Sequence, residues 1–387
     1  MRTPRLPAAI AGMALVLAAC QGGAASPSHS AQASLGDGEG ALNLVIWTGY
    51  AERGENDPAY DWVTPFEDET GCMVKTQDGT DSANMVQLMQ TGEYDGVSAS
   101  GDATLRLIAG GEVAPINTDL IPNYANIFDG LKLQPHNSVD GVPYGVPHGR
   151  GANVLLYNTD EFAEAPTSWD VVWESDSPAA GKISVYNSAI YIADAALYLM
   201  KHNSDLNITN PYELDQTQFD AAVELLQQQN EMIGEYWATA AAQIESFAAG
   251  DMVAGTSWQY QANNLTDSPV AATLPEEGST GWSDTWMISS RAAHPNCMYK
   301  WMDWIASPEA NAQATVWFGE APTSQAACDA AEEISPGHCE AFHATDESYF
   351  DNIWYWTTPQ KECGDDRGAV CKDFTEWTTA WQEITGS

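Results

Sequence analysis

Leu42-Asn43-Leu44-Val45-Ile46-Trp47 is an uncharged, β-prone run, and together with the elements after it this strand decides the fold. A helical stretch comes next, around Asp61 to Thr70, and then a strand at Cys72 to Lys75. Ser82 to Thr91 is the next helical stretch, with Met85, Leu88 and Met89 at the spacing of one helical face. Tyr94-Asp95-Gly96-Val97 reads as another short strand and ends in the small-residue loop Ser98-Ala99-Ser100-Gly101. Short strands alternating with helices predict an α/β fold. Farther on, Val142 to Tyr157 is a long, glycine-punctuated extended region suited to a crossing between lobes. Thr217-Gln218-Phe219-Asp220 fits a capping box. The helix it would open carries Phe219, Val223, Leu226, Ile233 and Trp237 at helical spacing, a face expected in the core.

The chain has 387 residues, 44% of them hydrophobic and 15 of them Trp, enough for a substantial core and for more than one domain. Against 54 Asp and Glu stand 14 Lys and Arg, a formal charge of −40. That surface repels phosphate backbones and anionic lipid alike, which excludes nucleic acid as a partner and disfavours direct membrane adsorption. It also concentrates cations near the protein.

Residues 1–19 read as a secretory signal: Arg2 and Arg5 precede an apolar run, from about Leu6 to Ala19, too short to span a bilayer. Its end, Leu17-Ala18-Ala19-Cys20, resembles a bacterial lipobox, in which Cys20 takes the lipid and becomes the mature N-terminus. Residues 20–41, from the lipidated Cys20 on, then read as a flexible tether rich in Gly, Ser and Ala. The expected location is the outer face of the cytoplasmic membrane, held by the lipid anchor alone.

Six cysteines remain: Cys72, Cys297, Cys328, Cys339, Cys363 and Cys371. An even number in an oxidising compartment predicts disulfides, and six admit fifteen connectivities. Cys328 with Cys339 and Cys363 with Cys371 would each close a short loop and leave Cys72 with Cys297. No Cys-x-x-Cys pair or clustered histidine marks a metal site, and no metal or cofactor is expected. The chain also lacks a Gly-x-Ser-x-Gly elbow, a phosphate loop, a dinucleotide fingerprint and His-Glu-x-x-His. Paired acids such as Glu276-Glu277 are expected by chance among 54.

Several segments recur in a recognisable order. They are Trp47-Thr48-Gly49-Tyr50, Tyr94 to Val97 with its small loop, Tyr144-Gly145-Val146-Pro147 and Pro166-Thr167-Ser168-Trp169. Ala249-Gly250-Asp251 to Gly255, Trp282-Ser283-Asp284 and Gly319-Glu320-Ala321-Pro322-Thr323 complete the set. In this order, over about residues 42 to 327, the chain resembles the substrate-binding proteins of bacterial ABC importers, in particular the spermidine/putrescine-binding branch. The resemblance implies a two-lobed, type II periplasmic-binding-protein-like α/β fold with a ligand cleft between lobes. The first lobe would span 42–150 and about 283–327, the second 151–282, with 328–387 as a disulfide-stapled helical segment. The return after Trp282 would bring Cys297 into the lobe of Cys72. The partners implied are a small-molecule ligand, an ABC permease and an ATPase, with the binding protein a monomer and not an enzyme.

Carried over by position, the ligand contacts would be Trp47, Thr48 and Tyr50 after the first strand, Ser98 and Ser100 in the small loop, Trp258 in the second lobe, and Trp282 with Asp284. The chemistry is coherent: an alkylammonium gains about 0.5–2 kcal/mol over each indole face, and a desolvated carboxylate supplies the ion pair. Two departures stand out. Where polyamine binders carry acids at the opening of the second lobe, this chain has Ser188 and Tyr191, so the second ammonium of a diamine loses its partner. Arg150, beside His148 on the crossing region, would oppose a polyamine but could pair with a carboxylate, unless one of the many acids takes it. A zwitterion such as a betaine, amino-acid derivative or opine, or a sugar, is therefore the alternative ligand. A secreted sugar hydrolase with a Trp-lined groove and two acids is the rival class, and it uses neither the lipobox nor the ordered motifs.

Overall fold

The structure, a computed structural model, describes residues 30–386. Cys20, the signal and the lipobox lie outside them. Ala41–Ile46 pairs in parallel with both Met73–Asp78 and Gly96–Ala99, because the helices Val63–Thr70 and Ser82–Gln90 carry the chain back between strands. The first helix stops at Gly71, whose φ of 71° only glycine adopts at little cost. The second is capped by the Asp81 side chain, which accepts from Asn84 N, and it buries Met85, Val86 and Met89. Thr285–Ile288 runs antiparallel between Gly96–Ala99 and Val146–Pro147 to complete a five-stranded sheet.

The second, seven-stranded sheet has the order Ile353–Tyr355, Ser279–Trp282, Gly151–Asn158, Ala254–Trp258, Ile183–Tyr186, Ile233–Trp237, with Val270–Thr273 also paired to Gly151–Asn158. The chain passes between the sheets at 148–150 and returns at 283–284. The two passages are fastened together: His148 N donates to Asp284 O at 2.8 Å, and Ser283 Oγ donates to Gly149 O at 2.9 Å. Ala321 pairs with Arg150 alongside them. Separate cores lie against each sheet, one around Leu44, Trp62, Trp286 and Trp301, another around Leu155, Tyr191, Trp237 and Trp377.

Four expectations change. The described part of the expected flexible tether is tied down, because Gln32 Nε2 and Gly36 N donate to Asn296 Oδ1 at 2.6 and 2.8 Å and the Glu39 carboxylate accepts from Asn296 N and Cys297 N. The helix expected to open at Thr217 runs Gln216–Asn230 and is capped by Asp215, whose carboxylate accepts from Thr217 N and Gln218 N while Gln218 closes the box. Ile233 and Trp237 leave that helix for the strand Ile233–Trp237. A spacing of four keeps two residues on one face of a helix and also on one face of a strand, so periodicity alone did not separate them. Residues 328–387 do not stand apart: Ile353–Tyr355 joins the second sheet, and the helix Phe374–Thr385 sets Trp377, Trp381 and Ile384 into that sheet's core. Disulfides join Cys72 to Cys297, Cys328 to Cys339 and Cys363 to Cys371, with Cα separations of 5.7, 5.9 and 5.5 Å.

Candidate ligand-binding site

A cleft of ≈ 640 Å³ opens between the two sheets. Loops at the carboxyl ends of the parallel strands feed it: Trp47 and Thr48 follow Ala41–Ile46, Gly79 to Ser82 follow Met73–Asp78, and Ser100 follows Gly96–Ala99. From the other side come Tyr186 to Ser188, Trp237 to Ala240, and Trp258.

Asp284 sits on the return passage at 4% exposure. Tyr50, fully buried, donates from its hydroxyl to Asp284 Oδ2 at 2.8 Å, and its ring packs on His148 and edge-on to Phe318. Asp284 Oδ1 is buried with no hydrogen-bond partner among the described residues. Burial pushes the Asp284 carboxyl up to about 6, opposed by the hydroxyls of Ser100 and Tyr50. Asp102, in the first turn of the helix Gly101–Ala109, is a second buried acid of the cleft wall, and Ser82 Oγ donates to its Oδ1 at 2.8 Å. Burial raises its pKa, against the opposing effects of Ser82 and Arg106.

Aromatic rings line the rest. Trp282 touches Phe318 and Trp258, each with ring centroids 6.0 Å apart. The line continues through Trp237 to Tyr186 and Trp356. Trp258 is held by its indole N–H, which donates to Asn153 Oδ1 at 3.1 Å.

Of the residues singled out in the sequence, Trp47, Thr48, Tyr50, Ser100, Ser188, Trp258, Trp282 and Asp284 line the cleft. Three lie elsewhere. Ser98 is buried within the strand Gly96–Ala99 and not in a loop, and its Oγ accepts from Trp47 N at 3.3 Å. Tyr191 packs in the second core against Trp173, its hydroxyl accepting from Gln229 Nε2 at 2.9 Å, because an aromatic opening an apolar helix is drawn inward. Arg150 is buried behind the crossing: it donates to Ala344 O at 2.9 Å and Glu347 Oε1 at 2.6 Å, and its guanidinium lies 3.7 Å from the Phe350 ring. With its charge satisfied there, the cleft wall holds no Lys, Arg or His among the described residues.

Sequence reasoning missed Asp102 and Trp356. Asp102 directly follows the small loop already singled out. Trp356 gave no local signal, since it reaches the cleft only through the pairing of Ile353–Tyr355 with Ser279–Trp282. Beside the crossing lies a buried pair, His148 and Glu320, with Nε2 and Oε1 3.4 Å apart. Trp286 Nε1 donates to His148 Nδ1 at 2.9 Å, and burial pushes His148 down to about 3, leaving it uncharged at neutral pH, while burial raises Glu320 well above the usual carboxylate range. One mixed cluster outside the cleft wall, Asp170, His202 and Glu277, has donor atoms close enough to share a cation, and in it His202 Nε2 contacts Glu277 Oε1 at 2.9 Å.

The family model for bacterial extracellular solute-binding proteins matches residues 61–338. A putrescine/agmatine-binding protein of Pseudomonas aeruginosa is 26% identical over 295 residues, covering 69% of this chain and 77% of that one. Among solved structures, the spermidine/putrescine ABC transporter substrate-binding protein PotD of Streptococcus pneumoniae superposes with a TM-score of 0.68 at 18% identity, over 89% of this chain and 97% of that one. MotA of A. tumefaciens B6, in complex with glucopine, superposes with a TM-score of 0.63 at 15% identity, over 89% and 99%. The two sheets fastened at their crossings, the cleft between them and the match over 61–338 lead to one assignment: the chain belongs to the bacterial extracellular solute-binding proteins.

Proposed function

We propose that this protein captures a small organic cation of the amine class in the cleft and delivers it to an ABC permease and ATPase outside the cytoplasm, with Cys20 as a lipid anchor. The observation that carries the ligand class is Asp284: a buried carboxylate with one oxygen unpartnered, in a cleft whose wall offers aromatic faces and, among the described residues, no basic side chain. An ammonium entering there completes the hydrogen bonding of Oδ1 and gains about 0.5–2 kcal/mol over each indole it covers. The 26% identical relative named for putrescine and agmatine agrees with that chemistry. A zwitterion or opine would bring a carboxylate that needs a cation, and Arg150, the residue that suggested it, is spent on Glu347 and Ala344.

A thermal-shift panel of amines, betaines, amino acids and sugars tests this. Stabilisation by amines alone is expected; stabilisation by a sugar or an anion and by no amine would overturn the reading. Anchoring is tested by Cys20→Ala, which should release the protein from the membrane fraction, and retention there would refute it.

A further inference from the structure

The acids of the cleft are not shared between its two sides. Asp81, Asp102 and Asp284 all come from segments of the five-stranded sheet, whereas the other side contributes Tyr186, Asn187, Ser188, Trp237, Thr239 and Trp258, with no acid among the described residues. A buried acid of that side, Asp194, does not line the cleft and accepts from the hydroxyls of Tyr186 and Thr280. We infer that Asp102 and Asp284 form a single two-carboxylate pocket for one delocalised cationic head of the guanidinium class, whose uncharged tail lies against the aromatic side. This rests on the cationic reading above and narrows it.

Both carboxylates are held in place. Asp284 Oδ2 takes the Tyr50 hydroxyl, and its buried Oδ1 has no hydrogen-bond partner among the described residues. Asp102 Oδ1 takes the Ser82 hydroxyl, and the Asp102 backbone carbonyl accepts from Thr358 Oγ1 at 2.8 Å. Next to it, a side chain at Gly101 would run into the Trp356 backbone, so the segment from 356 to 358 fixes the start of this helix as it enters the cleft. The charge of Asp102 disfavours ionisation of Asp284, as expected of two acids in one region. Arg106, one turn on, favours the ionised form of Asp102 by its field, yet its guanidinium is drawn over the Phe374 ring at 4.7 Å. One cation touching both carboxylates relieves their repulsion. A primary ammonium is a compact point charge, whereas a guanidinium spreads five donors over a planar fork and reaches two acceptors at once. A diamine gains little, because its second ammonium would meet Ser188 and indoles with no acid.

Calorimetric titration of the whole chain at neutral pH with n-butylguanidinium, n-butylammonium and 1,4-diaminobutane tests this. The guanidinium should bind about tenfold tighter than the monoamine, the equivalent of one added charge-assisted hydrogen bond, and the diamine no more than about threefold tighter. Asp102→Asn should erase the guanidinium preference while monoamine binding persists. Should that variant not fold, Ser82→Ala carries the test, since releasing the Asp102 carboxylate must narrow the preference. A diamine bound more than about tenfold tighter than the monoamine, or a guanidinium preference unchanged in these variants, overturns the two-carboxylate pocket and leaves the cationic reading standing. If none of the three cations binds, both fall.

Discussion

Burial holds the Asp284 carboxyl at about 6, so acidification should weaken cation binding before it disturbs the fold. A cation binds the ionised acid, and the proton competes with it. Each pH unit below the pKa then costs a factor of about ten, or about 1.4 kcal/mol, so affinity should be about twofold below its plateau at pH 6 and about tenfold below at pH 5. Asp102, also raised by burial, steepens the fall. The sign for folding is opposite. A carboxyl whose pKa is raised in the fold contributes stability that is fully present below its unfolded value and is lost as pH rises through about 6, so protonating Asp284 does not unfold the protein. Calorimetry from pH 5 to 8, in two buffers of different ionisation enthalpy, gives the affinity and the number of protons released together. Below pH 6 about one proton should leave per cation bound. An affinity that stays flat, or rises on acidification while circular dichroism reports a folded chain, would refute Asp284 as the cation's partner.

Trp282→Ala removes one cation–π face and the contacts to Trp258 and Phe318, and should cost about 1–3 kcal/mol of binding energy by calorimetry. Ser188→Asp places an acid on the neutral side of the cleft and should improve a diamine relative to a monoamine; an unchanged ratio would mean that the far end of the ligand does not reach Ser188. Glu320→Gln keeps the shape of a buried acid that lacks hydrogen-bond partners among the described residues and removes its ability to ionise. Because burial raises the Glu320 pKa, its stabilising contribution disappears as pH rises. The variant should therefore match the wild type in melting temperature in acid and equal or exceed it at pH 8, and a lower value at pH 8 would contradict a Glu320 pKa raised by burial.

Much of this was legible in the sequence because it is local. Leu42 to Trp47 and the helices after it follow from local pattern, since the residues that decide them are neighbours in the chain, whereas the strand read at 94–97 lies two residues on, at Gly96–Ala99, and takes in Ser98 and Ala99 of the expected loop. Loop residues that directly follow a strand, such as Trp47 and Ser100, were legible for the same reason. The features that escaped depend on distant packing. Arg150 sits on the crossing as expected, but its direction is set by Glu347 and Phe350, nearly two hundred residues away in sequence. Tyr191 follows Ser188 closely, yet the helix that begins there turns its ring into the core. Trp356 enters the cleft because Ile353–Tyr355 adds to a sheet whose edge the sequence does not mark.

The most direct test of a cation held by Asp284 is calorimetric titration of folded Asp284→Asn with the tightest-binding amine, beside the wild type at pH 7.5. Removing the charge leaves a desolvated cation without its partner at nearly constant side-chain shape, so affinity should fall by about 2–5 kcal/mol, about 30-fold or more. Binding unchanged by the substitution would contradict a cationic ligand in this cleft.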